Sequence, residues 1–164
     1  EVANQCIIVN GVAKTYAMTG WRVGWMIGPN DVMKAAINFQ SHATSNVSNV
    51  AQRAALAAVS GDLSAVHMMR DAFERRGKIM HSMLNDIPGI TCIEPQGAFY
   101  FLVNIEPIGI KSVNFAEKLL SKQKVAVVPG IAFGSDYSIR FSYATSLDVI
   151  NSGMDRFEEF CNQH

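Results

Sequence analysis

The sequence has no excess of charge: fourteen lysines and arginines balance fourteen aspartates and glutamates over 164 residues. Without a net field, nothing draws a polyanion or an anionic membrane surface, so neither nucleic acid nor membrane is expected as a partner. Cysteine is scarce. Cys6, Cys92 and Cys161 are odd in number, widely spaced and form no C-x-x-C pair, which argues against a disulfide framework and for reduced, mostly buried thiols in a cytosolic protein. No stretch approaches the ~18 apolar residues of a membrane span, and no basic-then-apolar leader opens the sequence. Internal repeats and low-complexity segments are missing too. What is left is 49% hydrophobic and 17% charged, the balance of a globular chain with a real core. The first residue is Glu1 rather than methionine, and a strand-like run follows almost at once, so the chain is expected to be a fragment of something longer.

The run "CIIV", Cys6 to Val9, reads as a strand buried on both faces, as in parallel sheets. "RVGWMIG", Arg22 to Gly28, reads as a second strand stopped by Gly28-Pro29. Asn30 or Asp31 then caps a short helix to about Gln40, and Asn46 caps the next, where Val47, Val50, Ala51, Ala54, Ala55 and Ala58 fall at helical spacing. A long helical stripe follows through Leu63, Val66, Met69, Phe73, Met80 and Met83, ended by Pro88-Gly89, with Gly77 as its weak point. At 1.5 Å per residue it is a rod of about 37 Å, long enough to bridge two domains. Beyond it lies a small α+β unit. "TCIEPQGAFYFLVNI" gives two strands around a turn, and "SVNFAEKLLSKQ" an amphipathic helix capped by Ser112. "VAVVPG" and "YSIRFSYA" are strands, and "SLDVINSGMDRFEEFC" is a closing helix capped by Ser146.

Three cations stand out. Lys14, in "NGVAKTYAMTGWRVG", sits among small residues between an apolar strand and a glycine-rich run. Burial disfavours the ammonium form, and a neutral amine attacks carbonyl carbon; the plainer reading is a lysine at a strand end that snorkels to water. Arg22 follows eight positions later, flanked by Gly20 and Gly24, which leave room for a bulky anion that a guanidinium grips by a bidentate fork. A structural salt bridge is the ordinary alternative. Arg140 lies among Ile139, Phe141 and Tyr143 in an apolar strand; a buried arginine needs an anion, and a substrate carboxylate or an internal Asp or Glu serves equally. Glu74-Arg75-Arg76 reads as a solvated face, His67 and His81 as solvated or packed histidines, and Trp21 and Trp25 as core or interface. Tyr16 reads as packing, and Phe99 and Tyr100 as an edge of a substrate pocket.

With these residues in place, "NGVAKTYAMTGWRVGW" closely resembles the lysine segment of class I pyridoxal-phosphate aminotransferases of the aspartate aminotransferase type, whose pattern is (S/A)-K-x-x-x-x-x-G-x-R-x-G. "PQGAFYFLVNI", "VAVVPGIAFG" and "IRFSYATS" match further in the same order, so the likeness covers essentially the whole chain, as the C-terminal portion of such an enzyme. The resemblance implies an α/β architecture, the C-terminal part of the type I fold. Residues 1–61 would be the end of the large-domain sheet, 62–88 the long linking helix, and 89–164 the small α+β domain. It implies pyridoxal 5'-phosphate as cofactor, with Lys14 as its Schiff-base lysine and general base, Arg22 as a phosphate ligand, and Arg140 as the residue holding the substrate α-carboxylate. Amino acid and 2-oxo acid are the implied substrates, no metal is called for, and the full-length protein would be a cytoplasmic homodimer.

Two departures separate the sequence from some members of the family, the second of them from aspartate-specific ones. Gly11 stands where some carry a phosphate-binding serine, and "QSHATSNVSN", Gln40 to Asn49, lacks the arginine that reads a second carboxylate across the dimer. This is closer to the bacterial subgroup without that arginine, with aspartate or a related amino acid as substrate. The remaining cofactor ligands of the family precede the lysine, so these residues alone are expected to be inactive. A lyase of the same fold, and an aminotransferase-like effector-sensing domain of a transcription regulator, are the competing readings.

Overall fold

Glycines decide how the first strands meet. In the computed structural model, which describes residues 2–164, β1 (Ile8–Gly11) pairs antiparallel with β2 (Gly24–Ile27), with Gly11 opposite Gly24. A Cβ on Gly11 would lie 2.8 Å from the Val23 carbonyl oxygen, and one on Gly24 would lie 3.0 Å from that of Asn10. Both positions serve strand approach. The expected parallel-type, doubly buried strand is therefore corrected to an antiparallel ribbon, and an exposed one: Val9 is 74% exposed and Ile27 59%. A continuous apolar run is the pattern of a strand covered on both faces, and the described residues do not cover these faces. Trp21 and Trp25 are exposed with them, as is Cys6, against the expectation of buried thiols.

The chain divides into two units, Glu1–Met68 and Met69–His164. In the first, α1 (Asn30–Ala43) runs three residues past the expected end at Gln40, and its N-cap is Pro29 rather than Asn30 or Asp31. Helix α2 (Asn49–Ser60) is capped by Ser48, whose side chain accepts from the Ala51 N–H at 3.3 Å, instead of by Asn46. Ala51 and Ala55 are buried as their spacing foretold, but Val50 is exposed. Helix α3 (Ser64–Asp86) begins where the Asp62 carboxylate accepts hydrogen bonds from both the backbone N–H and the hydroxyl of Ser64. Those bonds hold the Asp62 carboxyl below its ordinary value.

The second unit is a four-stranded antiparallel sheet in the order β3 (Thr91–Cys92), β4 (Tyr100–Asn104), β6 (Ser138–Ser142), β5 (Val128–Pro129). Alternation sorts its faces. Phe101, Val103, Ile139 and Phe141 enter the core with Met80 and Leu84 of α3, Phe115 and Leu119 of α4 (Ser112–Gln123), and Phe157 and Phe160 of α5 (Leu147–Asn162). Leu102 and Arg140, cross-strand partners, fall on the other face. Phe157 packs edge-on against Phe141 at 5.0 Å and against Phe115 at 6.1 Å. The Ser146 cap is present, its oxygen accepting from the Val149 N–H. Gly77 lies within the unbroken α3, at the place where the helix meets Tyr143, whose ring lies 3.4 Å from where a Cβ would be. The edge strand β3 is closed by Asn85, whose amide oxygen accepts from the Cys92 N–H at 3.1 Å while its NH2 donates to the Cys92 carbonyl at 3.4 Å. Burial pushes the Cys161 thiol up to about 12, so that cysteine is an inert core residue.

Candidate active site

The loop from Val12 to Val23 closes the hairpin and carries two of the three cations. Val12, fully buried, anchors it and donates to the Val23 carbonyl at 3.3 Å. Local backbone bonds then wind the loop: Tyr16 N–H to the Val12 oxygen, Ala17 to Lys14, Met18 to Ala13 at 3.0 Å, and Trp21 to Met18. Lys14 stands on the first of these turns and is exposed, the plainer of the two readings the sequence left open. Once the backbone has satisfied itself within the loop, no apolar element of the described residues closes over this side chain.

Arg22 lies just before β2 and outside it, in the left-handed region with φ 55°. That conformation costs a non-glycine residue roughly 1–2 kcal/mol, and such strain tends to collect at functional positions. Its Nη1 donates to the Thr19 carbonyl at 2.8 Å, which ties the guanidinium to the loop and leaves the other N–H donors of the fork for an anion. At Gly20 an added Cβ would meet nothing within 4 Å, so the loop is open there. Gly24 has a different task, the strand pairing already described. A primary amine and a partly committed guanidinium on one loop, beside an open glycine, are a donor set that fits a phosphorylated aldehyde.

Arg140 belongs to the second unit, at the centre of its sheet. It is half-buried, its Cζ 4.5 Å from the Tyr100 ring centre and 4.7 Å from that of Phe133. Among the described residues no carboxylate forms an ion pair with it. Of the two anions left open by the sequence, the internal one therefore has no candidate here. Phe99 and Tyr100 both lie near this arginine's strand, half-buried and in mutual contact at 4.7 Å.

One polar cluster escaped the sequence. Ser112 does not cap α4, whose N-cap is Lys111; it is fully buried. Its hydroxyl donates to Asp136 Oδ1 at 2.9 Å and accepts from the Ile131 N–H at 3.3 Å. Its own N–H donates to the Asp136 carbonyl at 2.8 Å. Lys111 Nζ reaches the other Asp136 oxygen at 3.0 Å. The only trace of this in the sequence is a serine at a helix start. The hydrogen bonds from Lys111 first, and then from Ser112, hold the Asp136 carboxyl below its ordinary 3.8. A depressed folded value means that the stabilisation is present above the unfolded value and is lost as pH falls through the folded one. The thermal midpoint is therefore expected to fall as pH drops below about 4, and Asp136→Asn to flatten that part of the profile; calorimetric scans of the two proteins check it.

Comparison with known proteins agrees with this architecture. The solved aspartate aminotransferase of Rhizobium meliloti superposes with a TM-score of 0.91 at 36% identity, over 98% of this chain and 42% of that one. The aromatic aminotransferase of Pyrococcus horikoshii OT3 gives 0.93 at 35% identity, over 98% and 44%. The class is thus the α/β, type I aminotransferase fold. Residues 1–157 match the profile of the family described as aminotransferase class I and II, and the chain belongs to that family. The family is pyridoxal-phosphate dependent. A curated relative, the aspartate aminotransferase of Streptomyces avermitilis, is 54% identical over 99% of this chain. The chain spans about 42% of that relative's length. Among the described residues no helix is long and apolar enough to cross a membrane.

Proposed function

We propose that the full-length protein is a pyridoxal-phosphate-dependent aminotransferase, moving an amino group between a 2-oxo acid and aspartate or a related amino acid. The observation that supports this most is the single loop carrying both Lys14 and Arg22 in a chain of this family. Lys14 would hold the cofactor's aldehyde carbon through Nζ and, once released by the substrate amine, would carry the proton to and from the substrate Cα. Arg22 would hold the phosphate by the free part of its fork. When bound, the cofactor supplies the electron sink. Arg140 would take the substrate α-carboxylate, a positioning contribution. Residues 1–61 would close the large cofactor-binding domain, 62–88 would be the interdomain helix, and 89–164 the small domain of a cytoplasmic homodimer.

The test is chemical. Full-length protein is loaded with pyridoxal phosphate, reduced with borohydride and digested; the adduct is expected on Lys14, and L-aspartate with 2-oxoglutarate is expected to yield glutamate. An adduct elsewhere overturns the assignment. Release of ammonia or carbon dioxide without a new amino acid would make the protein a lyase, and ligand binding without turnover would make it a sensor.

A further inference from the structure

An arginine that is to receive a carboxylate must be held still without being neutralised. The surroundings of Arg140 meet both conditions. It lies on β6, the strand between β4 and β5. Tyr100 comes from β4, in register with Ser142 and so diagonal to Arg140 on the same face. Phe133 ends the 3-10 turn Gly130–Phe133 that follows β5. The guanidinium thus has an aromatic ring from each flanking side, at 4.5 and 4.7 Å, and no carboxylate partner among the described residues. Aromatic faces attract a guanidinium without consuming its N–H donors.

We propose that Tyr100 and Phe133 are positioning residues for substrate, clamping Arg140 so that its donor fork is set for a carboxylate before one arrives. The inference rests on the reading of Arg140 as the α-carboxylate ligand. Pre-organisation lowers the cost of ordering a long side chain on binding. It also gives the Ser112 cluster a purpose. Ser112 accepts from the Ile131 N–H and bonds Asp136, fixing the turn from which Phe133 projects. A chain of contacts therefore runs from a buried serine in α4 through the turn to the arginine.

The experiment compares Phe133→Leu, Phe133→Tyr, Tyr100→Leu and Arg140→Ala in the full-length, cofactor-loaded protein. Phe133 is 48% exposed, so its replacement leaves the core alone. For Phe133→Leu and Tyr100→Leu, the KM for the amino acid and the calorimetric Kd for succinate are each expected to rise about two- to thirtyfold, the range of one cation–π contact. kcat should stay near wild type, and Phe133→Tyr, which keeps a π face, should restore affinity. If both leucine variants bind as wild type does while Arg140→Ala loses succinate, the clamp is wrong and the carboxylate reading stands. If Arg140→Ala binds normally, the carboxylate reading itself fails. A loss in Phe133→Leu that Phe133→Tyr does not restore would mark a packing role and also overturn the clamp.

Discussion

Replacing Lys14 by alanine in the full-length protein is expected to eliminate borohydride fixation of pyridoxal phosphate at this loop and to lower amino transfer from aspartate by at least about a thousandfold. Two contributions are lost together. The amine that joins the cofactor is gone, and so is the base that moves the Cα proton, a step for which a positioned side chain is worth roughly 10²–10⁴-fold. Lys14→Arg should do no better, because a guanidinium stays protonated and cannot act as the nucleophile. Since Lys14 is exposed on a turn made by backbone bonds, the fold should survive either change. The decisive comparison is with Arg140→Ala, expected to keep the label and lose substrate affinity. Fixation that persists in Lys14→Ala, with the adduct on another residue, would remove Lys14 from the chemistry.

The second unit was legible because its strands alternate. "FYFLVN" and "SIRFS" put Phe101, Val103, Ile139 and Phe141 on one face and Arg140 on the other, as observed. The Ser146 cap was equally plain, since a serine before a strongly amphipathic helix has one obvious acceptor role. The first unit was read less well. An apolar run such as "CIIV" specifies what a strand needs around it, and within the described residues that surrounding is missing from the ribbon. Cap competition was invisible as well: Asn46 and Ser48 are both good caps, and which one the helix uses depends on where the chain turns.

For the candidate site, residue types were legible and their setting was not. Lys14 and Arg22 are close in sequence, but which of the two readings of the lysine holds depends on the loop around it, where Lys14 is exposed, and the glycines divide their tasks: Gly24 for strand pairing, Gly20 for open space. Arg140 was seen as a cation in an apolar strand that needs an anion, from substrate or from within; the rings beside it come from residues forty positions upstream and seven upstream. Ser112 shows the limit most clearly. Its bond to Asp136 spans 24 residues, and no local pattern reports a partner at that separation.

Gly130→Ala should produce the largest loss of stability of any change to the second unit's turns, at or above about 3 kcal/mol. The cause is space rather than backbone torsion. A Cβ at Gly130 would lie 2.2 Å from the Ser138 carbonyl oxygen, 2.4 Å from that of Ser135 and 2.7 Å from the Ser138 carbonyl carbon. These are main-chain atoms of the first residue of β6 and of the loop leading into it, so no rotamer change relieves the contact. The turn must move, which breaks the 3.0 Å bond from Ser135 N–H to the Gly130 oxygen and draws Ile131 away from buried Ser112. Gly134 supplies the contrast. Its φ is +85° and nothing lies within 4 Å of its missing Cβ, so Gly134→Ala should cost only about 1–2 kcal/mol of left-handed strain. Urea midpoints of the two full-length variants, measured without cofactor, separate the mechanisms: a Gly130→Ala shift no larger than that of Gly134→Ala would show that the turn yields. Because Phe133 lies three residues further along the same turn, whatever Gly130→Ala protein folds should also bind succinate at least as weakly as Phe133→Leu. The glycine of "VVPG" would then serve the carboxylate site without touching it.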